Sequence, residues 1–109
     1  MELGDRTDDL RRYFAGRLPQ RLGELEDSCR AARDAGWRGM PLRTFHRLAH
    51  SLAGSGAIFG FTEVSDLARR LERLLKPVLE NGMPVTEADE RTIGELLGRL
   101  REAAARPHD

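Results

Sequence analysis

Apolar residues recur along most of this chain at intervals of three and four, the period of a helix that buries one side. From residue 8 to about 35 the pattern runs through Leu10, Tyr13, Phe14, Leu18, Leu22, Leu25 and Cys29, with Thr7 as the expected N-cap ahead of Asp8 and Asp9. Pro19 falls inside it, and because proline lacks a backbone donor and crowds the preceding turn, a kink or break is expected there. Gly36-Trp37-Arg38-Gly39 interrupts the period, with Trp37 expected to pack over the end of the bundle. A second helix over about 41–59 follows, with Pro41 in its first turn and with Leu42, Phe45, Leu48, Ala49, Leu52 and Phe59 on one arc. Gly60 is placed to end it in a left-handed cap. Thr62 is the expected N-cap of a third helix reaching residue 81, which buries Val64, Leu67, Ala68, Leu71, Leu75 and Val78. Thr86 opens a fourth, over about 86–105, with an acidic first turn and then Ile93, Leu96, Leu97 and Leu100. No segment alternates as a strand would, so the pattern predicts an all-α, antiparallel up-and-down four-helix bundle occupying residues 1–109 as one domain.

Composition narrows the function classes. The chain has 109 residues, enough for one modest core. Basic and acidic residues number 18 each, so the net charge gives no long-range pull toward nucleic acid or an anionic membrane. Seventeen of the 18 basic residues are arginine, which reads first as composition bias. The single cysteine, Cys29, permits no internal disulfide and is in phase with the core, where it behaves as a small hydrophobe. No apolar run is long enough to cross a bilayer and the amino terminus lacks a signal-peptide core. The expectation is a soluble, cytoplasmic protein, monomeric because nothing in the apolar count demands a dimer.

Within the second helix, His50 lies well off the apolar arc. Arg43 and Arg47 share its side one and two turns before, and Gly54 follows one turn after. Ala53 and Ala57 lie between that patch and the arc. Two glycines inside a helix, each costing about 1 kcal/mol relative to alanine, need a reason. Gly56 is in phase with the core, where it serves packing, whereas Gly54 faces out beside His50. His46 and His50 have the spacing of two metal ligands on a helix, but no third ligand is evident and His46 reads as a boundary residue. Gly54-Ser55-Gly56 has no strand before it, so it is no phosphate loop, and no metalloprotease or nucleophile-elbow motif occurs. What remains for His50 is to be a surface residue or a nucleophile: a neutral imidazole can attack phosphorus to give a phosphoramidate. Arg47 or Arg43 could stabilise the resulting charge, and small neighbours at Ala53 and Gly54 would admit a partner's active site.

The run His50-Ser51-Leu52-Ala53-Gly54-Ser55-Gly56, then Gly60, Leu67-Ala68 and Leu71-Glu72, resembles the motif of histidine-containing phosphotransfer domains, H-x-L-K-G-[SA]-[SA] with a glycine ten residues after the histidine. The resemblance implies a four-helix bundle without ATP-binding machinery, a phosphocarrier and not an enzyme in its own right. By carry-over, His50 accepts a phosphoryl group from a receiver-domain aspartate and passes it to another. Ala53, Gly54 and Ala57 then form the docking surface, and Glu72 is a candidate for orienting the imidazole. The implied partners are response-regulator receivers and a hybrid histidine kinase, and the receiver supplies Mg²⁺, so no cofactor or metal of this domain's own is expected. One departure from the motif matters: its lysine is Ala53 here, which leaves Arg47, with Arg43 behind it, as the candidate cations. Two other readings stay open on the sequence: a phosphoacceptor domain of a chemotaxis-type kinase, and an unphosphorylated module that sequesters a receiver.

Overall fold

A computed structural model describes the backbone of residues 3–106 and the side chains of residues 8–106. Four helices follow one another: α1 (Leu3–Asp34), α2 (Gly39–Ile58), α3 (Thr62–Asn81) and α4 (Glu87–Ala105). Each packs on the next and α4 closes against α1, which makes the up-and-down four-helix bundle that the periodicity predicts. The core is the predicted stripe of each helix: Leu18, Leu22, Leu25, Phe45, Leu52, Leu67, Leu71, Leu75, Ile93 and Leu100 are fully buried. Each such side chain contributes about 1.5–3 kcal/mol by leaving water.

Four local expectations are corrected. α1 is one continuous helix through the exposed Pro19, so the expected alternative of a break into two helices is not realised. Thr7 lies inside α1, since the helix begins at Leu3, and so is not its N-cap. Thr62 is the first residue of α3, not its cap; the capping position is Phe61, with no side-chain hydrogen bond. Leu10 and Tyr13, placed in the core by spacing, are 48% and 67% exposed. Arg11 explains why: its Nε donates to the carbonyl of Phe59 at 2.9 Å, so this part of α1 is already level with the end of α2. Phe14 takes the last inward position there, with ring centroids 5.2 Å from Phe59 and 5.1 Å from Phe61.

The turn that ends α2 follows directly from Gly60. With φ of 80°, it adopts the left-handed conformation that lets the amide of Phe61 reach the carbonyl of Gly56 at 2.8 Å and its own amide reach Ala57 at 3.3 Å. That double closure swings Phe61 into the core, Phe59 to its margin and α3 back along α2. At the opposite end, Trp37 is half-buried against Phe45, ring centroids 6.4 Å apart, and covers the end of the bundle. α4 begins with a reciprocal capping box: Thr86 Oγ1 accepts from the Asp89 amide and Asp89 accepts from the Thr86 amide, each at 3.0 Å.

Candidate functional site

The site is set by how closely α2 and α3 approach. A Cβ on Gly56 would lie 3.1 Å from the amide nitrogen of Ser65 and 3.2 Å from its Cα, so only glycine allows this spacing without a shift. Ser65 is buried, and its Oγ donates to the carbonyl of Ala53 at 2.8 Å. These contacts fix the antiparallel register. Two turns back along α2 and two turns on along α3, the same register brings His50 opposite Glu72.

There the imidazole is exposed but tethered. His50 Nδ1 is 2.6 Å from Glu72 Oε2, with 71% of the histidine side chain in solvent and only 23% of the glutamate's. A carboxylate accepts, so the contact holds the proton on Nδ1 and leaves the lone pair of Nε2 to face solvent. The glutamate is the more buried partner of the contact.

Around the pair is a shallow recess lined by His46, Arg47, His50, Glu72, Lys76 and Glu80. Arg47 is therefore at the site. Arg43 is not: it lines a separate cavity at the Trp37 end of the bundle with Gly36, Arg38 and Val85, one helical turn too far from the imidazole. Ala53 is corrected as a surface residue, since it is 3% exposed and faces the α2–α3 seam beside Ser65. Gly54 and Ala57 are exposed, and a Cβ on Gly54 would meet nothing within 4 Å. Lys76 escaped the sequence reading, although its spacing of four from Glu72 and its standing as the one lysine in the chain were visible there.

His46 is half-buried with Nε2 enclosed and unpartnered, at the floor of the recess. Among the described residues no group of three His, Cys, Asp or Glu side chains is arranged to hold a metal ion. Burial pushes the Cys29 thiol up, partly countered by Arg33, which suits a packed thiol and not a reactive one.

An exposed helical histidine held by a carboxylate, on a four-helix bundle, agrees with the sequence comparison. A family model described as the Hpt domain matches residues 9–103. The chain belongs to the Hpt domain family. No curated protein and no solved structure matches it. Hpt domains act in histidine phosphotransfer within two-component phosphorelays, with response-regulator receivers as partners, and are phosphocarrier modules without an ATP site of their own. Among the described residues no helix is long and apolar enough to cross a membrane. This Hpt chain departs from the motif at Ala53, and the burial of that side chain means the motif's lysine position points into the seam here, so any cation at the imidazole comes from another place in the chain.

Proposed function

We propose that His50 is the phosphoacceptor of a phosphorelay carrier, taking a phosphoryl group from a receiver's aspartyl phosphate and passing it to a second receiver. The observation that carries this reading is the 2.6 Å contact between His50 Nδ1 and Glu72, which leaves Nε2 exposed and nucleophilic. In the forward step the Nε2 lone pair attacks phosphorus, the N–P bond forms, and the P–O bond to the receiver's aspartate breaks with the electron pair leaving on the carboxylate. The ring becomes a phosphoimidazolium, and its remaining N–H stays hydrogen-bonded to Glu72, so the positive charge generated in the step is balanced where it arises. The reverse step needs no new group. Mg²⁺ and the acidic site that binds it belong to the receiver, and this domain contributes the nucleophile and a surface.

That surface comprises Gly54 and Ala57, one and two turns after His50 and both exposed. Small side chains there let a receiver bring its aspartate within bonding distance of Nε2. The protein acts as a monomer that a hybrid kinase or a free receiver can load.

Incubation with a panel of phosphorylated receiver domains tests the proposal. Wild-type protein should gain an acid-labile, base-stable phosphate, and His50→Gln should gain none. Phosphate that persists in His50→Gln would move the acceptor away from His50, and a wild type that binds a receiver without being phosphorylated would replace the carrier with a sequestering module.

A further inference from the structure

We infer that Lys76, on α3, is the cation that stabilises the phosphoryl group on His50, in the role the motif gives to a lysine on the histidine's own helix. This deepens the phosphoacceptor reading and rests on it.

Glu72 sets up a conflict of charge at the site. Its carboxylate lies 2.6 Å from one imidazole nitrogen, and a phosphoryl group on the other nitrogen brings close to two negative charges into the same recess. Holding the imidazolium proton favours transfer, while charge repulsion opposes it. A cation near both the carboxylate and the phosphoryl oxygens removes the conflict. Lys76 stands one turn after Glu72 on the same face of α3 and lines the recess with His50. The register that sets Glu72 opposite His50 sets Lys76 opposite His46 and Arg47, on the near side of the imidazole.

Availability is the second observation. Lys76 has Glu72 one turn before it and Glu80 one turn after, either of which could take an ion pair from it, and both line the same recess. Among the described residues it forms none, and the Glu72 carboxylate is engaged by His50. Its ammonium is exposed, on a flexible four-carbon stem that can follow a group as it arrives and leaves. In a chain where every other basic residue is arginine, the lysine sits at this recess. The alternatives are weaker. Position 53 is an alanine turned into the seam, and Arg43 lines a different cavity. Arg47 shares the recess but projects from α2, whereas Lys76 shares the α3 face that carries Glu72.

Phosphoramidate serves as a partner-independent donor: the Nε2–P bond forms as the P–N bond of the donor breaks and ammonia leaves. Phosphohistidine is then followed by ³¹P NMR in wild type, Lys76→Met, Lys76→Arg, Arg47→Met, Glu72→Gln and the Glu72→Gln/Lys76→Met pair. Loading should slow about tenfold in Lys76→Met and largely recover in Lys76→Arg, with a smaller loss in Arg47→Met than in Lys76→Met. Because the lysine answers the Glu72 charge, Lys76→Met should matter less in the Glu72→Gln background than alone, a coupling that a structural role for this exposed residue would not give. Equal loading by wild type and Lys76→Met overturns the inference and leaves His50 as phosphoacceptor, as does a Lys76→Arg variant no better than Lys76→Met. A wild type that takes no phosphate on His50 removes both readings together.

Discussion

Gly54 and Gly56 are two residues apart on α2 and carry the same helix penalty, yet they face opposite environments. Gly56 is pressed against the backbone of Ser65, where a Cβ would sit at 3.1–3.2 Å. Gly54 has open space, with no atom within 4 Å of a Cβ built on it. The inner glycine determines how near α3 comes to α2 and, through the register, that Glu72 reaches His50. The outer glycine changes nothing inside the protein. Its omission of a side chain has meaning only for something that arrives from outside, which makes the pair a way to separate architecture from recognition on a single helix.

The sharpest break in that comparison is Gly56→Leu. A side chain at this position must push the Ser65 backbone away, and overpacking of this kind costs about 3 kcal/mol, well beyond the roughly 1 kcal/mol gained in helix propensity. Chemical denaturation should show the loss, and the His50–Glu72 contact should loosen with it, visible as altered imidazole NMR shifts. A Gly56→Leu protein as stable as wild type would mean that the seam is more compliant than its spacing indicates.

Gly54→Gln addresses the outer face. Stability should hold or rise, by up to about 1 kcal/mol, because a glycine in an exposed helix interior is replaced by a better helix former. Transfer from a phosphorylated receiver should fall at least about tenfold, equivalent to about 1.4 kcal/mol. Loading from phosphoramidate should be unchanged, since that small donor needs no docking surface. Normal transfer from the receiver would move the docking surface away from Gly54.

Ser65→Ala probes the inner face more gently. It removes the hydrogen bond to the Ala53 carbonyl without adding bulk, and a buried bond of this kind contributes about 1 kcal/mol. The expected loss is of that size, with phosphoramidate loading of His50 retained, because Gly56 still sets the helix spacing. A tenfold loss of loading would instead make Ser65 part of what positions Glu72.

Much of this was readable from the chain. The four helices, their buried stripes, the left-handed turn at Gly60 and the packing role of Gly56 follow from spacing and from the few residues that break it. What periodicity could not give was everything that depends on two helices at once. Whether Ala53 turns in or out is a matter of degrees on a helical wheel, and only the proximity of Ser65 decides it. Lys76 is one charged residue on a charged face until the α2–α3 register sets it beside His50. Leu10 and Tyr13 keep the core period but run past the end of α2, and period carries no information about where a partner helix stops.

The far side of the bundle offers the smallest effect and a control for all the others. α1 and α4 are fastened at their surface by Arg101, which donates from Nε to Glu26 Oε2 at 3.0 Å and from a terminal nitrogen to Oε1. The hydrogen bond from Arg101 is the main cause that holds the Glu26 carboxyl below its usual range, with burial opposing it. A lowered folded-state value means that the pair stabilises the protein above the ordinary carboxylate range and that this contribution is lost as pH falls through the lowered value. Glu26→Gln should therefore be less stable than wild type at pH 7 and should converge with it on acidification. With about half of the Arg101 side chain and a quarter of the Glu26 side chain in solvent, the difference at pH 7 should be only about 0.5 kcal/mol. Urea titrations of the two proteins from pH 7 down to about 3 would show the gap closing; a gap independent of pH would mean that the glutamine disturbs packing instead of removing a charge. Phosphoryl loading should be the same in both, since neither Glu26 nor Arg101 lines the recess at His50.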